Sequence, residues 1–110
     1  MKLSDLVEEL SLEVKTCKDG LGNEVKGAYV SDLLSDVMGN SKDGDAWITL
    51  QTHLNIVAVA GLKNLSGIII TGSRPVQDEI LQKAESENVT ILVTRMTAFE
   101  TAGKLYQLLK

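Results

Sequence analysis

Gly67-Ile68-Ile69-Ile70-Thr71-Gly72-Ser73-Arg74-Pro75 is the stretch on which the fold turns. Three successive β-branched residues favour an extended chain. Their unbroken apolar character means that both faces of the strand are covered, as in a parallel sheet with helices on each side. Gly72 and Ser73 break the strand. Pro75 then reads as the first turn of a helix, where the missing N–H leaves no bond unmade. Val76, Ile80, Leu81 and Ala84 supply that helix with a buried stripe.

Toward the C-terminus, Val89–Val93 reads as the next strand, and Thr97-Ala98-Phe99-Glu100 is a capping box that opens a last helix. Ala102, Leu105, Tyr106 and Leu109 form its apolar stripe. Toward the N-terminus, Ile56–Leu62 is rich in β-branched residues, yet it lies between two strands at crossover length behind a Thr52 cap, so a buried helix is expected. Trp47–Leu50 is a strand preceded by a polar loop, Gly39–Asp45. Ser31 is the expected N-cap of a helix through Met38, with Asp32 in its first turn. Val25–Val30 is another strand, separated by the turn cluster Lys18–Asn23 from the alternating stretch that starts at Leu12. These first two strands either form a hairpin or enter the sheet separately. Leu3, Leu6, Val7 and Leu10 mark a short amphipathic helix at the start.

The order from Val25 onward is strand-helix four times over. It predicts one α/β domain spanning residues 1–110, a three-layer α/β/α sandwich around a mainly parallel five-stranded sheet with right-handed crossovers. The length of 110 residues, 44% hydrophobic and 24% charged, fits one folded domain.

Composition excludes several chemistries. A net charge of −4 without a Lys/Arg run argues against nucleic acid. One histidine and one cysteine cannot build a zinc or iron–sulfur site, so neither metal nor cofactor is expected, and Cys17 reads as a small strand residue. No apolar run has the length of a signal peptide or a membrane span, which points to the cytoplasm. Gly-x-Gly-x-x-Gly and the Gly-Lys-Ser/Thr phosphate loop are both missing. Gly20-Leu21-Gly22 leads into a strand and so lacks the context of a phosphate loop.

In an open parallel sheet, ligands settle beyond the carboxyl ends of the strands. That rule selects Ser31 and Asp32 after the second strand, and Gln51, Thr52, His53 and Asn55 after the third. It adds Thr71, Gly72, Ser73 and Arg74 after the fourth, and Thr94 and Arg95 after the fifth. Arg74 and Arg95 can each hold a carboxylate or phosphate in a bidentate fork. Ser31, Thr52 and Ser73 are also the residues that helix caps need. His53 is the only side chain that titrates near neutrality without perturbation. A capping or interface hydrogen bond is its first reading, ahead of ligand contact and of catalysis, because no nucleophile or orienting carboxylate stands near it in sequence.

Gly27-Ala28-Tyr29-Val30-Ser31-Asp32-Leu33-Leu34-Ser35, the Thr49–His53 turn before Asn55–Ala60, Ile69-Ile70-Thr71-Gly72 before Pro75, the Ala84–Val93 pattern and the Thr97–Glu100 cap together resemble the DRTGG domain family, itself similar to the N-terminal domain of HPr kinase/phosphorylase. One departure stands out. The family's Gly-Asp-Arg-Thr-like turn falls where this chain has Gln51-Thr52-His53, so no role of an Asp-Arg pair carries over. The kinase domain and its nucleotide loop are missing as well, so a kinase activity does not follow.

The resemblance implies a regulatory module, often found beside CBS domains and commonly dimeric. The expected function is therefore a non-catalytic regulatory or ligand-sensing domain, homodimeric, taking a nucleotide-like or phosphorylated anion at the carboxyl edge of the sheet. The alternatives are an adaptor subunit docked on a larger enzyme, of the redox or hydrogenase-associated kind that the resemblance suggests, and a small enzyme using His53.

Overall fold

The computed structural model describes all 110 residues. Its elements in chain order are α1 (Leu3–Leu10), β1 (Glu13–Val14), a 3-10 turn (Lys18–Gly22), β2 (Gly27–Val30), α2 (Leu34–Asn40), β3 (Asp45–Thr49), α3 (Asn55–Leu62), β4 (Gly67–Ile70), α4 (Asp78–Ser86), β5 (Ile91–Val93) and α5 (Ala98–Leu109). The five strands lie in the order β1-β5-β4-β3-β2, parallel from β2 to β5, with β1 antiparallel to β5. The mainly parallel sheet read from the sequence is the one observed, and Ile56–Leu62 is helical.

The pleat sorts the core into two layers. Trp47, Ile68, Ile70 and Ile91 face α2, α3 and α4, where they meet Val37, Ile56, Val57, Ile80 and Ala84. Ala46, Ile48, Ile69 and Leu92 face α1 and α5, where they meet Leu3, Leu6, Leu10 and Leu105. Gly67 is required for this second layer, because a Cβ there would stand 2.9 Å from Leu3 Cδ2. The middle position of the isoleucine run, Ile69, thus serves one layer and its two neighbours the other, which is why no polar residue interrupts it.

One open alternative is decided, and several local expectations are corrected. The first two strands are not a hairpin: β1 and β2 occupy opposite edges of the sheet. The extended stretch from Leu12 pairs with β5 over Glu13–Val14 alone. Beyond it the Thr16 hydroxyl takes over the ladder, donating to Val89 O at 2.7 Å and accepting from Ile91 N at 2.9 Å. Ser31 does not cap α2. Its Oγ accepts from Leu33 N within a turn, Asp32 points back toward β3, and the helix starts at Leu34 and runs through Gly39–Asn40. Thr52 does not cap α3 either, a task that falls to His53. Pro75 precedes α4 rather than opening it. Ser73 is left-handed (φ 57°) and a residue before proline avoids the helical region, so the helix begins only at Asp78. Tyr106, expected in the buried stripe of α5, is 68% exposed. No helix is long and apolar enough to cross a membrane.

Candidate functional site

The loops that follow β2, β3, β4 and β5 all lie at one rim, as parallel strands dictate, and hydrogen bonds divide the residues there into two groups. On the β2–β3 side the polar groups are occupied by one another. The Asp32 carboxylate, through Oδ1, accepts from Thr49 Oγ1 at 2.8 Å and from Leu50 N at 2.7 Å. Gln51 Nε2 donates to Asp32 O, and Gln51 Oε1 accepts from His53 N. His53 Nδ1 in turn accepts from Asn55 N at 3.1 Å, satisfying one of the free N–H groups that begin α3. The buried Trp47 ring adds an Nε1–H bond of 2.8 Å to Ser31 O. Ser31, Asp32, Gln51, His53 and Asn55 thus brace two loops. For His53 the bond is a capping one, made to the first residue of α3.

A second network lies below them on α2. Asp36 accepts from Tyr29 Oη and from Asn40 Nδ2, each at 2.8 Å. Hydrogen bonding from Ser31, Tyr29 and Asn40 lowers the Asp36 pKa, and the Asp36 carboxylate raises that of Tyr29.

The β4–β5 side is different. Gly72 and Ser73 are successive left-handed residues at φ 74° and 57°. Gly72 N donates to Met96 O at 2.8 Å and Ser73 N to Thr94 O at 3.0 Å, which clips the two loops together. The glycine meets both the conformation and the space, because a Cβ there would stand 3.1 Å from Leu50 Cδ2. After β4 the chain turns to α4 on one face of the sheet. After β5 it turns to α5 on the other. Neighbouring strands whose connections leave in opposite directions open a crevice between them.

A cleft of about 840 Å³ occupies this position, reaching across β5 to β1. Ser73, Arg74, Thr94 and Arg95 line it, joined by Ser11 from the α1–β1 connection, Glu13 from β1 and Lys15 just after it, with Leu10, Pro75, Val76, Val93 and Met96 as apolar wall. Neither guanidinium is engaged in an ion pair or hydrogen bond, whereas Lys15 pairs with Glu13 at 3.4 Å. Three cations against one carboxylate make this a positive spot on a chain of net charge −4. Thr94 Oγ1 is used locally by Met96 N. Thr71, at the foot of the β4 loop, is fully buried and its hydroxyl has no partner in the protein.

The twelve expected rim residues therefore share an edge but not a pocket. Arg74, Arg95, Ser73 and Thr94 line the cleft; the residues after β2 and β3 do not. Ser11, Glu13 and Lys15 went unnoticed in the sequence because only antiparallel pairing of β1 with β5 carries them there. Their one signal was the alternation of Glu13 and Lys15 with apolar neighbours.

Cys17 lies at the opposite, amino-terminal rim, buried, with its thiol directed at Ala84 O and Glu85 O. Burial first, then the bond and charge of Glu85, push its pKa up to about 11, the reverse of an activated thiol.

This arrangement can be set beside known proteins. The fold is similar to that of the CBS and DRTGG domains of the regulatory region of a Clostridium perfringens pyrophosphatase, a structure complexed with its activator, diadenosine tetraphosphate. The TM-score is 0.76 at 21% identity, over 96% of this chain and 46% of the other, so the chain spans about half the length of that structure. No curated protein matches the sequence. The model of the DRTGG domain matches residues 5–108, nearly the whole of the sheet and its helices, and the chain belongs to the DRTGG domain family.

Proposed function

We propose that this chain is a non-catalytic regulatory module that senses a phosphorylated, nucleotide-like small molecule in the cytoplasm, folding as one DRTGG domain over residues 1–110 and acting as a homodimer. The observation that carries the reading is the pair of unengaged guanidinium groups, Arg74 and Arg95, at the crevice between the β4 and β5 loops. Arginine forks match phosphate oxygens in geometry as well as charge. The apolar wall of Val76, Pro75 and Met96 suits the flat part of such a ligand, while Ser73 and Ser11 offer hydroxyls.

Membership of a family found in a pyrophosphatase regulatory region supports regulation over catalysis. So does the place of His53 and Asp32, which brace the β2–β3 loops and do not line the cleft of the arginines. The net charge of −4 speaks against nucleic acid.

Thermal unfolding with nucleoside di- and triphosphates, nucleotide sugars and sugar phosphates tests the proposal. A compound at 100 times its dissociation constant adds about 2.7 kcal/mol of stability, a rise in Tm of roughly 10 °C for a domain of this size. Arg74→Ala and Arg95→Ala are each expected to abolish the shift while leaving the unliganded Tm unchanged. No shift across the panel, or a shift indifferent to both arginines, overturns the assignment.

A further inference from the structure

The two edges of the sheet are unlike. Edge strands expose unpaired backbone groups, and proteins normally blunt them with charge, brevity or cover. β1 is blunted: it has two residues, and Glu13 and Lys15 form an ion pair along it. β2 is not. Its four residues, Gly27-Ala28-Tyr29-Val30, carry no charge and no proline, and Val30 is 51% exposed. Beside it, Ala28, Val30, Ile48, Ala102, Tyr106 and Leu109, together with Gly27 and the one charged residue Lys110, line a groove of about 340 Å³ between β2 and α5. The apolar stripe of α5 is therefore wider than the sheet it covers. Tyr106 is left outside, on the flank of an open edge.

Charge along this edge selects the occupant. Lys26 precedes the strand and Asp32 follows it, and both are exposed. Lys26 has only Asp43, at 3.8 Å on an open surface, as counter-ion. Asp32 uses Oδ1 internally and keeps Oδ2 free. Antiparallel pairing of two such edges centred on Tyr29 sets Ala28 against Val30 and Lys26 against Asp32, twice over by symmetry. Parallel pairing in register would set lysine against lysine. The strip is thus self-complementary in charge and apolar between its ends, the requirement of an isologous contact.

We infer that a second copy of this chain docks on the β2 edge, joining two sheets antiparallel and closing the β2–α5 grooves against each other. The inference rests on the homodimer reading above and names its surface. Sedimentation equilibrium of the full chain is the test, with Val30→Asp, Tyr106→Glu and Lys26→Glu beside Leu62→Glu as a control at an exposed apolar site on α3. Far-UV circular dichroism checks that each variant keeps its fold. The wild type and Leu62→Glu should be dimeric at ~100 µM protein. Each of the other three should raise the dimer dissociation constant at least about tenfold, the effect of losing one apolar or charged contact. A dimer untouched by all three variants keeps the homodimer but refutes this surface. A monomeric wild type refutes both.

Discussion

Asp32 offers the sharpest test of how the rim is built, because sequence alone made it a candidate ligand residue and the structure makes it a brace. In Asp32→Ala, Thr49 Oγ1 and Leu50 N both lose their acceptor. Thr49 is 1% exposed, so its hydroxyl cannot turn to bulk water. An ordinary hydrogen bond contributes about 1 kcal/mol net, and the exposure of the carboxylate keeps each of these two near that value rather than in the range of about 1.5–3 kcal/mol for a bond to a buried charged group. We expect a total loss of about 2 kcal/mol, a substantial part of the 5–15 kcal/mol that keeps such a domain folded. At ~4 °C per kcal/mol for a chain of this length, the Tm falls by roughly 8 °C.

Asp32→Asn keeps one carbonyl oxygen at the Oδ1 position and should lose less than half as much. Urea titration read by tryptophan fluorescence suits the measurement. Trp47 is the only tryptophan, is fully buried, and donates to Ser31 O next to the altered residue. A cost for the alanine variant below about 0.5 kcal/mol, or equal costs for alanine and asparagine, refutes the bracing role. If Asp32 serves the fold alone, phosphate-ligand affinity measured well below the Tm stays unchanged in both variants.

Two further outcomes follow from the core and the opposite rim. Gly67→Ala introduces a Cβ 2.9 Å from Leu3 Cδ2 and 3.4 Å from Thr90 O, in a layer where Leu3 has no exposed surface to retreat to. Overpacking of this kind destabilises by about 1–3 kcal/mol, with amide exchange quickening first in α1; a neutral substitution would show that α1 shifts freely. For Cys17 the sign is set by a folded pKa near 11 against an ordinary value of 9.0. Its stabilisation is complete below pH 9, declines as pH rises toward 11, and is missing from the alkaline unfolding profile of Cys17→Ala. The native thiol should also react with iodoacetamide at pH 7.5 far more slowly than in urea, and equal rates would contradict its burial.

Much of the architecture was legible because it rests on local chemistry. Ile68-Ile69-Ile70 must be covered on both faces, whatever lies around it. Thr97 and Glu100 satisfy each other's backbone N–H groups within one turn, and the helix they begin is where the pattern puts it. Alternation of strands with crossover-length helices leaves a parallel sheet as the economical solution, and with it a common rim for the loops near 31, 52, 73 and 95. The family resemblance was likewise carried by residues visible in the chain.

Tertiary structure alone decided what that rim contains. Asp32 looked available, but Thr49 and Leu50, which donate to its carboxylate, and Gln51, which donates to its carbonyl, become its neighbours only when β2 and β3 pair, while Gln51 Oε1 and His53 Nδ1 are taken up within their own loop. Lys15 and Ser11 reach the cleft because β1 runs antiparallel on β5, a pairing of residues about eighty positions apart that no local pattern encodes. Periodicity reports which side of an element is apolar and not what it packs against. That is why Tyr106 could be placed on a stripe by sequence and left exposed by the fold.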